Sequence, residues 1–163
     1  MIRPAVEADA AAIASLWNWM IRDTLLTFTT VEKTHKEVAS LIQAREGAFF
    51  VAANDKTIDG FATFGTFRPG PGYAGTVEHS IIVRTETRGR GLGRTLMACA
   101  ERAACDAGLH VMIGAISSAN PAAVEFHRTL GFEQVGLLRE VGRKSGQWLD
   151  LILMQKTLKV YGS

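Results

Sequence analysis

Glu78 stands inside TVEHSIIV (Thr76–Val83), a run otherwise rich in β-forming apolar residues. A carboxylate is costly to bury in such a run without a partner or a task. The task that suits it is general-base removal of a proton; the plain alternative is a structural pair with His79 or an arginine. Shortly after comes TRGRGLGRTL (Thr87–Leu96), where Gly89, Gly91 and Gly93 alternate with Arg88, Arg90 and Arg94. Glycines let a backbone turn tightly and approach a ligand closely, and a helix that begins there points unpaired N–H groups outward. Such a terminus holds phosphate, and guanidinium forks suit phosphate oxygens. Arg84 adds to the positive charge, and only Glu86 opposes it. The competing reading is a glycine-rich turn with solvated arginines.

Two better-known phosphate loops do not fit. A P-loop needs Lys-Ser or Lys-Thr after its last glycine, and none follows Gly93. The dinucleotide fingerprint places glycines first, third and sixth, but counting from Gly89 puts Arg94 in sixth place.

The elements that must position these residues can be read along the chain. A short strand around Ile2 precedes a one-sided helix over Glu7–Met20, with Ile13, Leu16, Trp17 and Met20 at helical spacing. Thr34–Glu37 is a capping box opening a second helix that stops near Gly47. Ala48–Asn54 and Ile58–Phe67 read as an antiparallel hairpin, and Arg68–Gly75, rich in Pro and Gly, as an exposed loop. The strand Thr76–Val83 leads through the glycines to a helix over about Gly91–Asp106, ended by Gly108. Leu109–Ile116 is the next strand; Asn120 caps a helix with Pro121 first, and Phe132–Val141 and Trp148–Gln155 close the chain as strands. The order is β α α β β β α β α β β, one α/β unit over residues 1–163 without repeats or linkers.

Composition bounds the function. At 163 residues, 47% hydrophobic and 21% charged, with a mean hydropathy of +0.10, the chain reads as one globular domain that needs no metal or disulfide to hold it. A net charge of +2 is too mild for a nucleic-acid partner. No apolar run approaches a membrane span, and the opening residues lack the apolar core of a secretory signal, so a cytoplasmic protein without membrane contact is expected. Cys99 and Cys105 fall on one helix, where six residues rise about 9 Å, too far for a bridge. With no histidine beside them they make no metal site, and small buried apolar residues are expected instead.

RGRGLG also resembles the Arg/Gln-x-x-Gly-x-Gly/Ala motif of the GCN5-related N-acetyltransferases (GNAT), and the element order is similar to theirs. TVEHSIIV, NPAAVEFHRTLGF (Asn120–Phe132) and VGRKSGQWLDLILMQ (Val141–Gln155) narrow the resemblance to the phosphinothricin and methionine-sulfoximine N-acetyltransferase branch. It implies an acyl-CoA N-acyltransferase fold, a mixed and mostly antiparallel sheet flanked by helices. It further implies acetyl-CoA as cosubstrate with no metal, and a homodimer. Ile81, Ile82 and Val83 are then expected to bind the pantetheine arm through backbone groups, and Arg88, Gly89, Arg90, Gly91, Leu92, Gly93 and Arg94 the diphosphate. Asn120 is expected to contact the cofactor arm as well as cap its helix.

Direct acetyl transfer to an amine needs a base, a donor to the carbonyl oxygen and a proton for the thiolate. The resemblance points to Glu78 as base, directly or through water, and an N–H such as that of Ile82 is a suitable oxygen donor. His127, flanked by Phe126 and Leu130, stands near where many relatives place an acidic tyrosine. It is either that acid or a partly buried core histidine. Arg68 is the candidate for an acceptor carboxylate, and Phe28, Tyr73 and Trp148 are candidate pocket walls. A second loop arginine used by relatives has no counterpart beside Ala74 and the prolines. The expected function is acetylation of a small amino-acid-like amine: methionine sulfone, methionine sulfoximine or phosphinothricin. The alternatives are a protein N-terminal or lysine acetyltransferase, or a non-catalytic acyl-CoA-binding regulator.

Overall fold

The computed structural model describes residues 1–55 and 57–159. Seven strands form one sheet in the order β1-β2-β3-β4-β5-β7-β6: β1 Ile2–Pro4, β2 Phe49–Ala53, β3 Ile58–Thr66, β4 Thr76–Val83, β5 Val111–Ser117, β6 Glu133–Lys144 and β7 Gln147–Thr157. Every neighbouring pair is antiparallel except β4 and β5. The helices are α1 Ala10–Asp23, α2 His35–Ala44, α3 Leu92–Asp106 and α4 Pro121–Thr129.

Strand residues alternate between the faces of a sheet, and the two faces have separate cores. Phe61 and Ile82 pack with Ile13, Leu16, Val38 and Ile42 of α1 and α2. Ala62, Phe64, Val77 and Met112 pack with Leu96, Met97 and Ala100 of α3 and Val124 of α4.

Element order and most boundaries match the sequence reading; the shifts are at both ends of the first helix, which runs to Asp23 rather than Met20, and in the closing strands. Glu7–Asp9 is a 3-10 turn, so the first helix starts at Ala10. Asp9 is held there by a bidentate pair with Arg3 at 2.7 and 2.9 Å and by the Val6 N–H, which holds its carboxyl below the usual range. The closing strands are longer than Val141 and Trp148 suggested. They run to Lys144 and from Gln147, joined at Ser145 and Gly146 with φ of +51° and +73°, the mirror-image turn that hairpins favour. Cys99 and Cys105 are free thiols. No helix among the described residues is long and apolar enough to cross a membrane.

Candidate active site

The single parallel pairing creates the site. β4 and β5 are in register only over Thr76–Glu78 and Val111–Ile113. Beyond Glu78 the two strands part, so His79–Val83 are paired to β3 alone and leave one backbone edge of β4 open. The gap is a cavity of about 300 Å³, lined by Glu78, Ser80, Ile81 and Ile82 on one side and by Ala115, Ile116 and Ser117 on the other. Trp17, Met20 and Leu26–Phe28 cover it, and Asn120, Ala123 and His127 of the α4 region form its far wall.

The covering segment is clamped at Leu25, Thr27 and Phe28. The Ser117 hydroxyl donates to the Leu25 carbonyl at 2.7 Å, and buried Lys144 donates to the Thr27 carbonyl at 2.7 Å. The Phe28 ring lies flat on Gly142, where a Cβ would stand 2.4 Å from it. Nothing larger than glycine fits at that place on β6.

Beyond Val83 the chain enters the glycine segment. Gly89 and Gly91 have φ of +81° and +78°, the left-handed region that glycine enters without strain. Gly91 caps α3 with no side-chain bond, so the N–H groups of Gly89 through Arg94 have no internal acceptor among the described residues, and the first closure is Thr95 N–H to the Gly91 carbonyl. Gly93 serves packing instead: a Cβ there would stand 3.2 Å from the Phe126 ring, so its absence lets α3 approach α4. Arg88 and Arg90 are exposed beside these amides, while Arg94 is tied to the Thr129 hydroxyl at 3.2 Å. Arg84 leaves the cluster, because its Nε donates to the Ile58 carbonyl at 2.8 Å.

Glu78 is open to solvent at the cavity, yet the walls around its carboxyl thin the water enough to raise its pKa, while Arg45 pulls it down. It does not pair with His79, because consecutive strand residues point to opposite faces. His79 faces α4, where its Nε2 lies 2.9 Å from Nε2 of His127. Nδ1 of His127 donates to the Ala123 carbonyl at 2.6 Å, an acceptor that fixes the tautomer. In the neutral pair His127 Nε2 accepts from His79, and His79 Nδ1 is buried without a partner.

Both ring nitrogens of His127 are thus engaged within the protein, although its ring lines the cavity. Burial holds its pKa low, and for His79 burial and the neighbouring His127 push it down to about 4. An unfolded chain therefore takes up protons near pH 6.5 that the native pair refuses. Stability from the pair is full above about pH 6.5 and is lost as pH falls toward about 4. Thermal unfolding of the wild type should drop more between about pH 7 and pH 5 than that of a His79→Gln, His127→Gln double variant. Parallel curves for the two proteins rule this linkage out.

Of the four expected acceptor contacts, only Phe28 lines the cavity. Arg68 is exposed and lies over the Phe67 ring at 5.4 Å, and Tyr73 meets the same ring edge-on at 6.1 Å. Trp148 is 59% exposed, with Arg143 stacked on it at 4.4 Å. None of the three is among the residues lining this cavity. Asn120 caps α4, its side-chain oxygen accepting from Ala123 N–H at 3.2 Å, and also lines the cavity. The sequence reading missed Ser80, Ser117, Lys144 and the buried partnership of His79. For His79 the period-two alternation was a usable signal; for the others the contacts cross distant elements. Among the described residues no cluster of His, Cys, Asp and Glu is arranged to hold a metal.

Residues 14–132 match the family profile of the Acetyltransferase (GNAT) family. An L-methionine sulfoximine/L-methionine sulfone acetyltransferase of Pseudomonas aeruginosa is 41% identical over 162 residues, covering 96% of this chain and 94% of that one. A phosphinothricin N-acetyltransferase of Streptomyces coelicolor is 33% identical, covering 96% and 95%. Among solved structures, an acetyltransferase of Salmonella typhimurium with its cofactor acetyl-CoA superposes with a TM-score of 0.93 at 34% identity, covering 100% of this chain and 96% of that one.

Proposed function

Because the chain belongs to the Acetyltransferase (GNAT) family and is an N-acetyltransferase, we propose that it moves an acetyl group from acetyl-CoA to the amine of a small amino acid of the methionine sulfoximine, methionine sulfone or phosphinothricin kind. The observation that carries this is the Glu78 carboxylate at the point where β4 and β5 part, inside a cavity of about 300 Å³. That volume suits an amino-acid side chain better than a peptide, which needs an open groove.

The residues fit acetyl-CoA on observations independent of any relative. The unpartnered amides of Gly89–Arg94 suit a diphosphate, and the open edge of β4 at Ile81–Val83 suits the amides of a pantetheine arm. Acetyl-CoA supplies the activated thioester. Glu78 takes a proton from the acceptor ammonium, whose ordinary pKa of about 8 leaves it mostly charged at neutral pH. A backbone N–H on the open β4 edge, that of Ile82 foremost, faces charge developing on the carbonyl oxygen. His127 shapes the wall, and the departing thiolate takes its proton from solvent or from Glu78. Neither cysteine lines the cavity, which favours direct transfer.

We further propose that two copies associate through β6, an edge strand that exposes Val135, Leu137, Leu138 and Val141. A single-chain mass in solution contradicts that pairing. A cytoplasmic setting suits a consumer of acetyl-CoA.

The deciding assay measures thiol release with a panel of acceptors at fixed acetyl-CoA. Methionine sulfone, methionine sulfoximine and phosphinothricin should be turned over at least about tenfold faster than peptides with free N-termini or lysines. Turnover confined to peptides overturns the small-acceptor reading. Acetyl-CoA binding without any turnover would leave only the regulatory role.

A further inference from the structure

Arg45, just past the end of α2, lies half-buried across the sheet face that carries Glu78. Its guanidinium rests on Gly65 of β3: a Cβ built there would stand 2.6 Å from Nη2, 2.8 Å from Cζ and 2.9 Å from Nε. Gly65 is the residue directly opposite Glu78 in the β3–β4 register. Side chains opposite one another in antiparallel strands have Cβ atoms about 4.5–5.5 Å apart. The guanidinium therefore occupies the place of the cross-strand neighbour of Glu78, a place vacant because residue 65 is glycine.

Arg45 has one neutral side-chain partner, the Thr63 hydroxyl at 3.2 Å, which itself donates to the Ala48 carbonyl at 2.9 Å. A guanidinium does not lose its proton on burial, so this half-buried cation needs a counter-charge. Glu78 supplies it through space, with no hydrogen bond between the two. The other elements around Glu78 bring no competing charge. Trp17, Met20 and Phe28 are uncharged, Ile113 of β5 is apolar, and His79 and His127, which also line the cavity, are bonded to each other and held neutral by burial.

We propose that Arg45 is a positioning residue for the reaction. Seated over Gly65, it keeps the Glu78 carboxylate charged without clasping it, so that both lone-pair faces stay free for the acceptor ammonium. The proposal rests on Glu78 being the base.

The test compares pH profiles of kcat/KM for the wild type, Arg45→Met, Arg45→Lys, Gly65→Ala and Glu78→Gln. Gly65→Ala displaces only the far end of a flexible side chain, so it removes the cation without opening the core. The acceptor amine sets the alkaline limb and serves as an internal reference. In Arg45→Met and Gly65→Ala the acid limb should move to higher pH, with kcat/KM at about pH 6 falling roughly tenfold and the maximum kept within about twofold. Arg45→Lys should recover most of the loss. The carbon-13 titration of the Glu78 carboxyl, assigned with Glu78→Gln, should move upward in the same variants, a readout that does not need turnover.

An unmoved acid limb and titration in folded Arg45→Met and Gly65→Ala overturn the proposal. So does a loss seen only as raised KM for acceptors with a free carboxylate and absent for their amides, since Arg45 would then be an acceptor contact. A Glu78→Gln protein that keeps wild-type rate and limb instead removes the underlying reading of Glu78, and is recognised separately.

Discussion

Glu78→Gln is expected to lower kcat by about 10²- to 10⁴-fold, roughly 3–5 kcal/mol of barrier, while acetyl-CoA affinity stays within about twofold. Glutamine keeps the volume and a hydrogen-bonding oxygen but cannot take a proton. In the wild type burial raises the pKa of this carboxyl while Arg45 pulls it down, and a raised pKa makes a carboxylate a stronger base. The open β4 edge and the amides of Gly89–Arg94 are untouched by the change, so the loss should fall in kcat and spare cofactor binding. Steady-state kinetics with calorimetry of acetyl-CoA separates the two. Wild-type kcat in folded Glu78→Gln would sink the base assignment.

Gly91→Val is expected to weaken acetyl-CoA binding by about 30- to 100-fold with the acceptor KM nearly unchanged. Gly91 has φ of +78°, where a residue with a Cβ is strained by about 1–2 kcal/mol and a β-branched one by more. No atom lies within 4 Å of a Cβ at this place, so the effect comes through the backbone and not through a clash. The segment is exposed and has no side-chain cap. It should therefore relax out of the left-handed conformation and turn its amides away from the diphosphate. Arg90→Ala removes a solvated charge and leaves that backbone alone, so a loss of only about threefold is expected. If calorimetry instead finds the arginine variant the weaker binder, charge and not amide geometry grips the ligand.

Much of the fold was legible because local rules and tertiary demands agree. The Thr34 hydroxyl accepts from Glu37 N–H, and the Glu37 carboxylate accepts from Thr34 N–H, as the capping box predicts. Asn120 and Pro121 open α4, and Gly108 with φ of +76° follows α3. The glycine segment was legible for the same reason, since its conformation depends on glycine and little else. On the acceptor side, Arg68, Tyr73 and Trp148 each stack with a ring or cation nearby and do not line the cavity. Only Phe28, pressed on Gly142 more than a hundred residues away, reached the expected wall.

His127 shows the limit most clearly. Its spacing on α4 turns it inward, which the pattern of apolar neighbours anticipated, and it is 3% exposed. Which atoms its nitrogens meet depends on His79, 48 residues earlier and on another element. Sequence alone determined the order of elements, the glycine-bearing turn at Gly89–Arg94 with its unpartnered amides and the presence of a carboxylate in β4, because each follows from contacts within a few residues along the chain. The tertiary structure decided where β4 and β5 part, which side chains face the gap, and that Arg45 stands where a neighbour of Glu78 would be. Those outcomes turn on strand register and on the space left by single glycines, and both are settled only when distant segments pack.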